Sequence, residues 1–276
     1  MKPTPPRIYC LPATEAPVVA VFRRGPSQWT HVGRWDLAEN RYEPGGWLRG
    51  RIFPRRSDLS PDGRWLCYFA HNPKARWDHG DAYVAVSKLP WLTALYAFAT
   101  CGTWTRGYYF TADGSHAPPG DADMLIPYGL KPIPVRQFAN ELRRGWAEAP
   151  DSPPRSAGGP WDEKRNARLE KPQPGDDRLL RVESLGWAGG EFGVDQAVDG
   201  LRVLYSLESN GQLERLEDLQ WADWDAQGQL LVATRSGKLQ RRQLEAHGAT
   251  DQITFEADLS QLQPGPTAAP DWAQRW

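Results

Sequence analysis

Four aspartates fall in two pairs at matching places in the chain. Asp58 and Asp62 bracket Leu59-Ser60-Pro61, and Asp223 and Asp225 lie around the same point 165 residues later. Two carboxylates held roughly 5–9 Å apart can cleave a glycosidic bond, one as acid and the other as base or nucleophile. An aspartate beside a tight turn also has a structural role, accepting hydrogen bonds from the turn's own backbone, and equivalence between the two copies favours that role. The densest polar cluster is the stretch from His71 to Asp81, where His71, Asp78, His79 and Asp81 could ligate zinc or manganese through imidazole and carboxylate. The alternative is an exposed loop whose aspartates and histidines cap turns. No Gly-x-Ser-x-Gly elbow, GxxxxGK[ST] loop or GxGxxG loop occurs, so neither a hydrolase nucleophile nor a cofactor loop is expected.

Aromatic and basic residues offer a different chemistry, that of binding. The chain is tryptophan-rich, with 14 Trp. Most should fill the space between sheets, but Trp47, Trp77, Trp104 and Trp187 sit in polar or Gly-rich surroundings, where an indole can anchor a protein partner or a sugar ring. Arg49, Arg51, Arg55 and Arg56 form a basic run broken by Ile52, Phe53 and Pro54. Such a run reads as a charged guard on an edge strand or as a patch for an acidic partner. The tail from 264 to 276 ends with Trp272 and Trp276, which either dock back on the body or form a peptide motif for another protein.

The elements that must position these residues are short strands. Gly and Pro number 26 and 25, a density of breaks that suits strands and turns better than a helical bundle. Arg7 to Leu11, Pro17 to Arg23 and Gln28 to Leu37 alternate β-branched or aromatic residues with polar ones. Asp62-Gly63 marks a tight turn before the apolar run Trp65 to Ala70, and the pattern recurs with Gly228 on Gly63, Asp223 on Asp58 and Leu231 on Leu66. A weaker third copy starts at Tyr108. Around turns at Asn210-Gly211, Gln227-Gly228 and Ser236-Gly237, five short strands are read, Leu201 to Leu207, Gln212 to Leu216, Leu219 to Trp224, Gln229 to Thr234 and Lys238 to Leu244, an expected antiparallel meander.

The Asp58 to Ala70 hairpin, and more loosely the meander from Gly200 to Leu244, resemble blades of β-propeller repeat proteins, including WD-repeat proteins and the propeller domains of the Tol system and of prolyl oligopeptidases. The Gly-His opening of the WD repeat is absent. The resemblance implies a fold and carries over no catalytic residue. With ~40–45 residues per blade, the 165-residue interval holds about four blades. The expected architecture is an all-β, small irregular β-propeller of about five divergent blades, occupying 1–276 as a single domain. A Pro-rich insertion is expected at 118–180, with one amphipathic helix at about 134–148 in which Val135, Phe138, Leu142 and Trp146 recur at helical spacing.

Composition narrows the function classes. With 33 basic and 34 acidic residues, the balance argues against a binder that neutralises many phosphates. Arginine supplies 26 of the 33 cations, read here as the mark of a G+C-rich bacterial genome. Three cysteines without a CxxC pair support neither a zinc knuckle nor a disulfide framework, and point to a reducing cytoplasm. No signal-like or membrane-spanning apolar run is read in the chain. The leading expectation is a non-enzymatic protein-interaction module without a cofactor, an adaptor or regulatory subunit of a bacterial complex whose partner is a protein encoded nearby. The rivals are a carbohydrate-binding or glycoside-cleaving propeller using Asp58, Asp62 and Asp225, and a metal-dependent hydrolase using His71, Asp78, His79 and Asp81.

Overall fold

A computed structural model describes residues 6–25, 28–72, 80–112, 124–134, 136–154, 166–187, 199–244, 252–265 and 267–276, and for Trp104 and Trp187 the backbone alone. The fold is all-β, with several antiparallel sheets and none closed into a barrel among the described residues. No helix there is long and apolar enough to cross a membrane. Where one body was expected, the chain divides into two compact units: Cys10–Pro134 with Gln263–Trp276, and Met1–Tyr9 with Val135–Leu262.

The first of these units holds three sheets. Strands β1 (Arg7–Pro12), β2 (Val18–Arg24), β3 (Trp29–Asp36) and β4 (Arg41–Arg49) are neighbours in chain order. In the next sheet β7 (Trp65–His71) carries β5 (Arg51–Ile52) and β6 (Asp58–Leu59) along one side, with β8 (Ala82–Lys88) and then β9 (Tyr96–Ala99) on the other. The third sheet pairs β10 (Tyr108–Thr111) with β11 (Gly129–Pro132). The inner strands are apolar on both faces: six consecutive residues are buried in each of β2, β7 and β8. That pattern belongs to strands covered on both sides rather than to half-exposed ones. Phe53, Trp65, Phe69, Val84 and Phe110 share one core, against which Phe98, Tyr108 and Trp276 pack.

The second unit holds two sheets. One orders β12 (Ala147–Glu148), β13 (Arg168–Pro172), β14 (Leu179–Trp187), β15 (Leu201–Ser209) and β16 (Gln212–Leu216). The other orders β17 (Leu219–Trp224), β18 (Leu230–Thr234), β19 (Lys238–Gln243) and β20 (Gln252–Asp258). Tyr205 and Val203 from one sheet share a core with Trp224, Leu230 and Val232 from the other.

Three sequence expectations change here. The five-strand meander is split: β16, exposed along nearly its whole length, is the last strand of one sheet, and β17, largely buried, is the first strand of the next. The stretch 118–180 is not an insertion throughout, since β12, β13 and the start of β14 build a sheet. The helix expected at about 134–148 shrinks to α1 (Ala139–Leu142). Phe138 precedes it at φ 57 and Gly145 follows at φ 82, so left-handed backbone stops the helix at both ends. Phe138 and Trp146 are nevertheless buried in the common core with Leu142 against it, so burial rather than helix formation explains their spacing.

The two Asp-Gly-type turns are equivalent up to the glycine and then part. Gly63 and Gly228 have φ of 71 and 77, the left-handed region that favours glycine. Leu59 pairs with Leu66, but Trp224 pairs with Leu230. The counterpart of Leu66 is therefore Leu230, not Leu231, because the first loop is one residue longer. The turn of the weaker third copy lies outside the described residues.

Candidate functional site

An open groove of about 440 Å³ in the first unit is lined by Phe98, Ala99, Cys101, Arg106, Tyr108 and Pro132, among others. Its first wall is β9. Thr100 N donates to Ala82 O at 3.0 Å, and β9 keeps register with β8 through Phe98 opposite Val84 and Tyr96 opposite Val86. Hydrogen-bonded pairs alternate along an antiparallel ladder, so Tyr96, Phe98 and Thr100 turn their backbone groups to β8. Those of Ala97 and Ala99 point outward, along the side of β9 that pairs with no strand among the described residues. Leu95 N also donates to Val86 O at 2.9 Å, a bulge that sets where β9 begins.

The second wall is the turn from Thr100 to Gly107, and the basic run holds it in place. Arg56 donates to the carbonyls of Thr103 and Thr105, the latter at 3.2 Å, while its guanidinium lies 4.9 Å from the Phe53 ring centre. Glycine at 107 is a requirement of close approach: a Cβ there would sit 1.7 Å from Arg56 O. Thr105 Oγ1 donates to Gly102 O at 3.0 Å and tightens the turn. Phe98 and Tyr108 meet edge to face, centroids 5.1 Å apart. Burial raises the Tyr108 pKa, so it remains a neutral phenol. The groove thus offers aromatic edges, small side chains, one guanidinium and a row of backbone donors and acceptors, a combination suited to binding.

Of the residues singled out from sequence, Arg56 shapes this groove and Trp104 lies in its turn; the others lie elsewhere. Arg51 is on β5, an edge strand as expected, its guanidinium 4.3 Å from the Phe53 ring centre. Arg55 is half-buried in the short turn Pro54–Arg56. Trp47 is half-buried and stacks on His31 at 4.5 Å between centroids. Trp276 docks on Trp65 at 5.7 Å, and Lys88 Nζ donates to Trp272 O at 2.9 Å, so the tail folds back while the Trp272 side chain stays 48% exposed. Trp187 ends β14 in the second unit. Trp77, Asp78 and His79 lie outside the described residues. His71 and Asp81 pair with each other at 3.0 Å, and the described residues hold no group of three or more His, Cys, Asp or Glu placed to bind a metal.

Of the paired aspartates, Asp62 and Asp225 are engaged by their own loops, whereas Asp58 and Asp223 bond to distant strands. Asp62 Oδ1 accepts from Ser60 Oγ at 2.6 Å and from Arg64 N at 3.1 Å. Asp58 Oδ2 accepts from Phe110 N at 2.9 Å, tying β6 to β10. Asp225 Oδ1 accepts from the amides of Gln227 and Gln229, both at 2.8 Å, and Oδ2 takes the Arg241 guanidinium at 2.6 Å. Asp223 is buried and paired with Lys171 at 2.6 Å, which ties β13 of one sheet to β17 of the next. Burial pushes the Asp223 carboxyl upward, opposed by Lys171.

A buried polar cluster on β3 and β4 carried no sequence signal. His31 is fully buried. Its Nδ1 lies 3.1 Å from Gly46 O, which can only accept, so Nδ1 carries the proton and Nε2 accepts from the Tyr42 hydroxyl at 3.1 Å. Burial first, then the nearby Arg23, lowers the His31 pKa to about 4. Only glycine fits at 33, where a Cβ would fall 2.1 Å from the Tyr42 hydroxyl oxygen. Phe98, Arg106 and Tyr108 were likewise not singled out as binding residues. A signal was available in the uncharged Tyr96-Ala97-Phe98-Ala99, an edge strand without the charges or proline carried by β4, β5, β16 and β20.

No protein-family model and no curated protein matches the chain. Among solved structures, an uncharacterized protein, lmo1340 from Listeria monocytogenes EGD-e, is similar over 94% of this chain and 85% of its own, at 11% identity and a TM-score of 0.30.

Proposed function

We propose that this chain is a non-enzymatic protein-interaction module, an adaptor or regulatory subunit of a bacterial complex, built from propeller-type blades. The groove between β9 and the Thr100–Gly107 turn carries the reading: aromatic walls, a single guanidinium and an open strand edge suit a polypeptide ligand. The blade reading is supported by the passage from the exposed β16 to the buried β17, the way one blade hands over to the next.

Site-specific photo-cross-linking in the native host tests the function. A photoreactive phenylalanine analogue at Ala99, in the groove, is compared with one at Leu213, 54% exposed on β16. The expected result is one protein adduct from position 99 that position 213 does not give. The reading is overturned if position 99 captures no protein, or captures the same proteins as position 213. A soluble oligosaccharide that shields tryptophan fluorescence from quenching would favour the carbohydrate-binding rival.

A further inference from the structure

Resting on that reading, we propose that the ligand is an extended, acidic peptide segment that adds as a strand to β9 and pairs a carboxylate side chain with Arg106. The first ground is the edge itself. Ala97 and Ala99 present their N–H and C=O groups away from β8, and unpaired ladder groups are a template for another strand. Of the other edge strands, β4 carries Pro44, Arg41 and Arg49, β5 carries Arg51, β11 carries Lys131 and Pro132, β16 carries Glu214 and Arg215, and β20 carries Glu256 and Asp258, while β10, also without charge or proline, is tied to β6 by the bond from Phe110 N to Asp58. β9 has neither charge nor proline. Its four residues span roughly 13 Å, enough to pair about four residues of an incoming strand.

The second ground is charge. Among the described residues of the lining Arg106 is the charged one, and none is a carboxylate. Guanidinium and carboxylate match in a two-pronged geometry, so an acidic side chain one residue out of register with the ladder gains both orientation and selectivity. The aromatic edges of Phe98 and Tyr108 suit β-branched or aromatic side chains on the same face of the ligand. Pairing with β9 of a second copy would instead bring two Arg106 side chains to one interface, which like-charge repulsion opposes.

The test begins with selection of a random nine-residue peptide library on the immobilised full chain. Alternating β-branched or aromatic residues with Asp or Glu at one fixed position are expected to be enriched. The best peptide is then synthesised with Glu and with Lys at that position, and binding is read by fluorescence anisotropy. Arg106→Glu should weaken the Glu peptide at least tenfold and make the Lys peptide the better ligand. Ala97→Pro removes one outward N–H and leaves the bonds that Tyr96, Phe98 and Thr100 make to β8. It should abolish binding with the melting temperature retained.

The proposal fails if no sequence is enriched, if the enriched sequences lack an acid, or if Arg106→Glu leaves the preference unchanged. It fails equally if light scattering shows a dimer that Ala97→Pro dissolves, since the edge would then belong to a second copy. A protein that cross-links at Ala99 and still binds the Arg106→Glu chain would refute the acidic peptide while leaving the interaction-module reading standing.

Discussion

The hydroxyl of Tyr42 donates to Nε2 of His31 at 3.1 Å, across the β3–β4 pair, and so partners the unprotonated nitrogen of an imidazole that burial keeps neutral. Unfolded, His31 should titrate near its ordinary 6.5; folded, near 4. A histidine whose folded value is lowered contributes stability that is present above about 6.5 and is lost as pH falls toward 4. The whole effect is about 3 kcal/mol, at about 1.4 kcal/mol per unit. Urea unfolding across this range should show the loss. His31→Asn keeps a donor for Gly46 O but cannot titrate, so its stability should be lower at pH 7 and flatter below it. An equal acid slope in both proteins would rule out His31 as the source.

Removing Lys171 should be worse than removing the whole ion pair. Lys171→Met leaves the Asp223 carboxylate buried without its ammonium, at a cost of about 3–5 kcal/mol near neutral pH. The double variant Lys171→Met/Asp223→Leu should recover much of that loss. Because burial already raises the Asp223 pKa, its protonation at acid pH should shrink the cost of the single variant. Denaturant titrations at pH 7 and pH 4.5 measure both effects. A cost independent of pH would contradict the assignment.

Gly107→Ala should damage the groove and stability together. The added methyl would meet Arg56 O, a backbone atom that cannot swing aside. Overpacking of this kind costs about 1–3 kcal/mol. The Thr100–Gly107 turn would shift as well, so cross-linking from Ala99 should fall even where the protein stays folded.

The two turn aspartates, Asp62 and Asp225, should differ in weight. Asp225→Ala loses two backbone amides and the Arg241 guanidinium, an interaction with a charged group, and about 2–4 kcal/mol is expected. Asp62→Ala loses the Ser60 hydroxyl, one exposed amide and a hydrogen bond with Tyr128, none of them charged, and should cost about 1–2 kcal/mol. Thermal melts of the two variants rank them; a larger shift for Asp62 would contradict the hydrogen-bond pattern.

Much of the strand layout was legible because a strand's identity lies in local chemistry. The run Val18 to Phe22, the Asp62-Gly63 turn and the boundaries of Gln212–Leu216 and Leu219–Trp224 follow from apolar runs and glycine placement, which act over a few residues. The basic run was legible as an edge guard at Arg51. Its second use, Arg56 bracing the turn that walls the groove, was not, because that contact joins residues 49 apart.

From residue order alone it follows that this chain is all-β, where its main turns fall, and that Asp62 and Asp225 suit turns; the long-range bonds of Asp58 and Asp223 do not follow from it. The properties that do follow depend on backbone preference and hydrophobic periodicity, which each segment carries alone. Only the tertiary structure decided that β16 and β17 belong to different sheets, that Phe138 and Trp146 are buried without a long helix, and that His31 is held neutral. The same holds for β9 lying at the edge of its sheet among the described residues, in the groove that Arg106 lines. Each of these depends on which distant surface covers a residue, and desolvation, packing and strand pairing are set by neighbours in space rather than in the chain.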